Sequence, residues 1–261
     1  MKLPFFWVDA FSNKVFAGNP AGVVPLDHWP TDALMQRVAF ENGLAETAFL
    51  VAKSPGRYDL RWFTPSVEVE LCGHATLASA YVLFTELGFA GDVVTFDTRA
   101  GPLTVRRGQG DRLELDFPSR PALPCPTSLP LRHALGSTPM YVAQARDTLC
   151  VFSSAQEVLG LSPDFTALAQ LETFACIATA PGQDCDFVSR FFAPRAGVDE
   201  DPVTGSAHCT LVPYWAQRLG KTQLHARQVS ARGGELFCEL RGDRVGIAGH
   251  AVLYLRGEIT I

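Results

Sequence analysis

Apolar positions alternate with polar ones in short runs along most of the chain and take helical spacing in few places. Alternation predicts strands at Phe5–Asp9, Thr47–Val51, Leu60–Phe63, Val93–Phe96 and Leu113–Phe117. Later runs predict Met140–Val142, Thr148–Ser153, Phe174–Thr179, Phe187–Phe192, Leu236–Leu240, Val245–Ala248 and Ala251–Leu255. Two long helical stretches stand out, Ala75–Leu87 and Ala207–Leu219, and each closes on Leu-Gly as a glycine C-cap would. Weaker helices fit Thr31–Asn42, with Thr31 or Asp32 as cap, and Ser162–Gln170. Many strands around one long helix per half predict an α+β class, a curved mixed sheet wrapped on a central helix.

The pattern occurs twice. Residues 61–88 run from Arg-Trp-Phe-Thr-Pro through Cys-Gly-His-Ala to Leu-Gly, and residues 190–220 from Arg-Phe-Phe-Ala-Pro through Thr-Gly-Ser-Ala to Leu-Gly. Gly88 follows Gly73, and Gly220 follows Gly205, by 15 positions. Beyond each copy lies a hairpin pattern with a Gly-Asp turn, Gly110-Asp111 and Gly242-Asp243. Four matches in one order predict two pseudo-symmetric domains. The segment Pro118–Pro130 holds five prolines in 13 residues, which block both helix and central strand. It reads as the linker between an N-terminal half, 1–118, and a C-terminal half, 119–261, leaving the last strand to pack back on the first half.

Composition narrows the classes. At 261 residues, with 47% apolar and 19% charged, the chain can bury a full core. A net charge of −5 and the lack of Lys/Arg runs argue against nucleic acid. No apolar stretch reaches membrane-spanning length. The seven cysteines are scattered with no CxxC pair, which suits reduced thiols in a cytoplasmic protein better than a disulfide or zinc framework.

The candidate chemistry sits at the two helix starts. Gly73-His74 and Gly205-Ser206 place a glycine where unpaired N–H groups and the positive end of the helix dipole point outward. Either glycine alone could simply break a strand before a helix. The duplication favours a pair of starts that, brought together, would suit a carboxylate. Glu46 lies in Asn42-Gly-Leu-Ala-Glu-Thr-Ala-Phe-Leu-Val, a stretch otherwise free of charge. An acid in apolar surroundings is suited to hold or give a proton near neutrality; an exposed turn residue capped by Thr47 is the alternative. Asp201 and Thr204 could cap the following helix, or Asp201 could orient and shuttle protons. His74, at a helix start, is the better proton relay; His208 falls inside a helix as a packed or surface residue.

These segments together resemble the PhzF family of phenazine-biosynthesis isomerases. The resemblance rests on Asp9-Ala-Phe, Gly18-Asn-Pro-Ala-Gly-Val-Val, Ala45-Glu-Thr-Ala-Phe, Arg61-Trp-Phe-Thr-Pro, Glu70-Leu-Cys-Gly-His-Ala-Thr, Arg190-Phe-Phe-Ala-Pro and Glu200-Asp-Pro-Val-Thr-Gly-Ser-Ala-His, in order. It implies a diaminopimelate-epimerase-like fold with the active site in the cleft, and a homodimer. It also implies Glu46 as general acid/base, assisted by His74, Asp201 and Ser206; the helix starts themselves make Gly73, Thr204 and Gly205 the expected substrate-binding positions. In the type enzyme the glutamate moves a proton between carbons of a dihydro-hydroxyanthranilate, without cofactor or metal.

The same fold supports racemisation by two facing cysteines, each directly before its helix-start glycine. Here Cys72 fills the first place and Thr204 the second, and threonine forms no thiolate. The expectation is therefore a cofactor-independent isomerase or epimerase of a small carboxylated metabolite. A non-catalytic ligand-binding or self-associating relative is the alternative.

Overall fold

Each run predicted from alternation forms a strand, with shifted ends, in a computed structural model that describes residues 1–261. The chain divides into two compact units, one of Met1–Asp116 with Ala248–Ile261, the other of Phe117–Ile247.

The N-terminal unit begins with β1 (Lys2–Ala10), β2 (Asn19–Leu26), α1 (Asp32–Asn42), β3 (Glu46–Ser54), β4 (Arg57–Phe63) and the short β5 (Glu68–Val69). The central helix α2 (Gly73–Tyr81) follows, then β6 (Val93–Thr98), β7 (Gly101–Arg107) and β8 (Leu113–Pro118). The C-terminal unit continues with β9 (Leu123–Pro124), α3 (Leu129–Leu135), β10 (Tyr141–Gln144), β11 (Thr148–Val151), α4 (Ala155–Leu159) and α5 (Phe165–Ala169). Then come β12 (Cys176–Pro181), β13 (Phe187–Ala193), β14 (Val198–Asp201) and the second central helix, α6 (Gly205–Leu219). Strands β15 (Gln223–Gln228), β16 (Gly234–Arg241) and β17 (Arg244–Gly249) lead to β18 (Ala251–Thr260), which pairs antiparallel with β1.

The duplication read from motifs is also one of topology. Pairing through β1-β2-β3-β4-β6-β7 runs antiparallel, parallel, antiparallel, parallel, antiparallel. Pairing through β10-β11-β12-β13-β15-β16 repeats that series. The repeated Arg-x-Phe lies on the matching strands β4 and β13.

Both central helices are core elements. Seven consecutive residues of α2, His74–Ala80, are buried; the buried hydroxyls are satisfied within the helix, Thr76 Oγ donating to Cys72 O and Ser79 Oγ to Ala75 O. Where Ala75–Leu87 predicts one continuous helix, α2 ends at Tyr81 and Val82–Glu86 form a π turn, closed by Leu87 N–H to Val82 O. In the N-terminal unit the sheet residues Phe49 and Phe63 pack with Met35 and Val38 of α1, while α2 lies against β1, β2 and β3.

Helix α6 contains Pro213, which has no N–H for the carbonyl of Cys209. The backbone N–H of Arg120 donates to that carbonyl at 2.8 Å, so the proline-rich segment completes the helix it runs past. Deeper in, Trp215 stacks on Phe187 at 4° and 5.6 Å, and its Nε1 donates to Thr179 Oγ at 3.0 Å.

The proline-rich segment is also more structured than its composition suggests. Leu123-Pro124 pairs with β10, and α3 opens with Ser128 accepting from Leu131 N–H and a proline in its first turn. A first-turn residue needs no N–H partner, so proline is compatible there. The helix expected over Ser162–Gln170 shortens to α5, capped by Asp164. No helix is long and apolar enough to cross a membrane.

Candidate active site

The two glycine-start helices differ from the four other α-helices. Thr31, Ser128, Ser154 and Asp164 each accept a backbone N–H and so cap α1, α3, α4 and α5. At α2 and α6 the N-cap residues, Cys72 and Thr204, make no side-chain cap bond. A helix start without such a cap is suited to an incoming acceptor.

Each start is held by the same device. In the N-terminal unit the Arg61 guanidinium donates through Nε and Nη2 to Glu68, both at 2.8 Å, and lies 5.2 Å from the Phe63 ring. In the C-terminal unit Arg190 donates through Nε and Nη2 to Glu200, both at 2.8 Å, and lies 4.9 Å from the Phe192 ring. Each glutamate stands four residues before the N-cap residue. A bidentate pair fixes direction as well as distance, so strand arginines aim the segments that lead into the helices. The sequence carried this signal, since both glutamates sit at one offset from the glycines, but nothing local links them to the arginines.

The N-terminal unit brings three predicted residues together. Glu46, at the start of β3, places Oε2 3.1 Å from Nε2 of the buried His74, the second residue of α2. The approach is close but outside hydrogen-bond alignment, leaving that buried oxygen without a well-aligned donor. On the other side the Cys72 sulfur lies 3.5 Å from His74 Nδ1. Burial opposes charge on the His74 ring, but its contacts with Cys72 and Glu46 outweigh that and hold the imidazole pKa well above its usual value. Burial, with the Glu46 charge second, pushes the Cys72 thiol up to about 11. Cys72 is thus a neutral thiol near neutrality. The donor atoms of Glu46, Cys72 and His74 lie within 4.8 Å of one another, a set able to take a divalent cation only once both the thiol and the imidazolium have lost their protons.

The C-terminal unit arranges Asp201, Thr204, Gly205 and Ser206 differently from a cap. Thr204 Oγ donates to Asp201 Oδ2, so neither caps α6. Gln228, a buried residue of β15 absent from the predicted set, holds this turn from three sides. Its Oε1 accepts from Thr204 N–H at 2.8 Å, and its Nε2 donates to Asp201 O at 2.7 Å and Thr204 Oγ at 3.2 Å. Arg146 reaches Ser206 Oγ at 3.4 Å through Nη2; it too lacked a motif. Gly73 and Gly205 each open their helix as predicted.

His208 is a packed residue. Its Nδ1 donates to Thr204 O at 2.9 Å, its Nε2 has no partner, and burial lowers its pKa to about 4. The folded state holds this ring neutral while the unfolded chain binds a proton below 6.5. Stability is therefore complete above that value and falls as pH drops toward 4. By about pH 5 the loss reaches about 2 kcal/mol. Urea unfolding of wild type and His208→Gln checks this: the wild type's advantage should shrink by that amount between about pH 7.5 and pH 5. A gap independent of pH would contradict it.

A family model described as phenazine biosynthesis-like protein, PhzC-PhzF, matches residues 8–257. The chain is similar to an uncharacterized isomerase of Pseudomonas aeruginosa, 53% identical over 100% of both chains. It is similar as well to the crystal structure of a PhzF family phenazine biosynthesis protein from Enterococcus faecalis, with TM-score 0.97, 45% identity and 100% of both chains covered. A hydroxyproline epimerase from Agrobacterium vitis shares the fold, with TM-score 0.64 and 12% identity over 99% of this chain and 92% of that one.

Proposed function

The chain belongs to the PhzC-PhzF family of phenazine biosynthesis-like proteins, and from this we propose that it moves a proton between carbons of a small carboxylated metabolite without a cofactor. It is an isomerase- or epimerase-like protein by its relatives and fold. Glu46 is the general acid/base: its carboxylate takes a proton from carbon and returns it to another carbon, so the reaction is balanced without an oxidant or co-reactant. His74 orients that carboxylate and relays the proton. In each unit the helix start, Gly73 in one and Gly205 in the other, offers first-turn N–H groups suited to carboxylate oxygens and to negative charge that develops as a proton leaves. Asp201 and Ser206 orient the substrate, with Thr204 as a binding residue.

The observation that carries this reading is the Glu46 carboxylate 3.1 Å from a buried histidine at an uncapped helix start. The two-thiol alternative finds no support, because Cys72 is held as a neutral thiol and its counterpart is Thr204. The family resemblance adds a homodimer and the scattered unpaired cysteines a cytoplasmic location, which light scattering and cell fractionation test.

The deciding experiment incubates the protein in D2O with carboxylated candidates, dihydro-hydroxyanthranilate among them, and follows mass. Deuterium incorporation at carbon is expected. A carboxylate that demonstrably binds yet none that exchanges would sink the reading and leave a binding protein.

A further inference from the structure

The C-terminal unit carries a guanidinium that the proposed proton transfer does not use. Arg146 precedes β11, and its Nε and Nη2 donate to the two oxygens of Asp147 at 3.0 and 3.1 Å. Asp147 has no exposed surface, whereas the Arg146 side chain is 36% exposed. The Phe174 ring packs against the guanidinium, 4.4 Å from its central carbon to the ring centroid. One edge of the fork is thereby locked by a buried carboxylate and an aromatic face. The other edge, Nη1 and Nη2, is spent only on the long contact to Ser206. That contact is weaker than an ordinary hydrogen bond, and Nη1 donates to nothing in the protein.

Strand register shows how this differs from the N-terminal unit. Phe49 stands opposite Arg61 and Ala178 opposite Arg190. Counting back three residues on each strand, the place of Glu46 falls to Ala175. On the neighbouring strand Thr148 stands beside Cys176, which sets Asp147 beside Ala175. The acid of the C-terminal unit thus sits one strand away from the base position and is already paired. Where the N-terminal unit sets a carboxylate against the second residue of its helix, His74, the C-terminal unit sets a guanidinium against the second residue of its own, Ser206.

We propose that Arg146 is a specificity-determining residue, its Nη1/Nη2 edge receiving a substrate carboxylate together with Ser206. The proposal rests on the reading that the protein acts on a carboxylated metabolite, and it names the side chain that selects the charge. A guanidinium edge matches two carboxylate oxygens in one plane, which a lysine cannot do. Asp147 cancels much of the arginine's net charge while orienting it, so selection comes from the fork geometry and the positive end of α6. Amides and esters of the same acid lack the second anionic oxygen and bind poorly.

The test titrates nitrogen-15-labelled protein with benzoate and, separately, with benzamide. Benzoate is expected to shift the Gly205 and Ser206 amides and the Arg146 Nε–H, and benzamide to leave them in place. The double variant Arg146→Gln/Asp147→Asn strands no buried charge and is expected to weaken benzoate binding about 10- to 100-fold. Arg146→Lys, which keeps the charge and loses the fork, recovers only part. The proposal is overturned if benzoate at tens of millimolar leaves those signals unmoved, or binds the double variant as tightly as wild type. Deuterium exchange into a substrate with unchanged KM in the double variant overturns Arg146 while the isomerase reading stands. Discrimination by Arg146 with no exchange for any bound carboxylate supports the arginine and removes that reading.

Discussion

Glu46→Gln is expected to lower deuterium exchange into a carboxylated substrate by about 10²- to 10⁴-fold, the usual contribution of a positioned general acid/base. Gln keeps the shape of the side chain and a carbonyl oxygen near His74 but cannot accept a proton from carbon. Binding should change far less than turnover, because carboxylate recognition is assigned to helix N–H groups and Arg146. The measurement is the initial rate of exchange, with KM read from the same substrate series. A variant that exchanges within about threefold of wild type would show that Glu46 is not the base. His74→Asn is expected to lose less, since it removes the group that orients the carboxylate and leaves the base.

The second large effect is on folding. Arg190→Met should cost about 3–5 kcal/mol of stability, the range for removing one partner of a buried charge pair. Arg190 has a side chain only 13% exposed, and besides Glu200 it donates to the carbonyls of Val158 and Leu161 at 3.2 and 2.7 Å. Methionine fills the volume and satisfies none of these acceptors. Arg61→Met is the internal comparison. There Glu68 keeps a second partner, Arg99 Nη1 at 2.9 Å, so the loss should be smaller. Urea unfolding of both variants checks the order. A loss below about 1 kcal/mol at Arg190 would place the pair among weak surface contacts. The same variant should also slow exchange, because Glu200 is the residue next to Asp201 and five before Gly205.

Local signals sufficed for much of this molecule. Alternation and helical spacing are properties of neighbouring residues, so strand runs such as Leu113–Phe117 and the central helices were readable without coordinates. Where local chemistry conflicts with burial, the reading failed. Strand β2 begins Asn19-Pro-Ala-Gly, residues that suggest a turn, yet it is buried between β1 and β3. Its Gly22 is closely packed: an added Cβ would lie 3.0 Å from the Phe5 ring and 3.2 Å from Leu44, so those side chains would have to shift by a few tenths of an ångström. Helix α3 was hidden because its proline was counted as a breaker and stands in the first turn, where no N–H is missed.

The candidate chemistry divides along the same line. The order of motifs established the duplication, the two glycine starts, the mismatch of Cys72 with Thr204 and the family resemblance, all of which are matters of residue identity and spacing. Which side chains touch was decided by strand register and helix placement, because partners such as Glu46 and His74, or Arg146 and Ser206, lie on different elements far apart along the chain. Burial then set their character, holding Cys72 as a thiol, His208 as a neutral core residue and Asp147 as the anchor of an arginine. Desolvation depends on everything packed around a group, and no pattern of neighbours along one strand or helix contains that information.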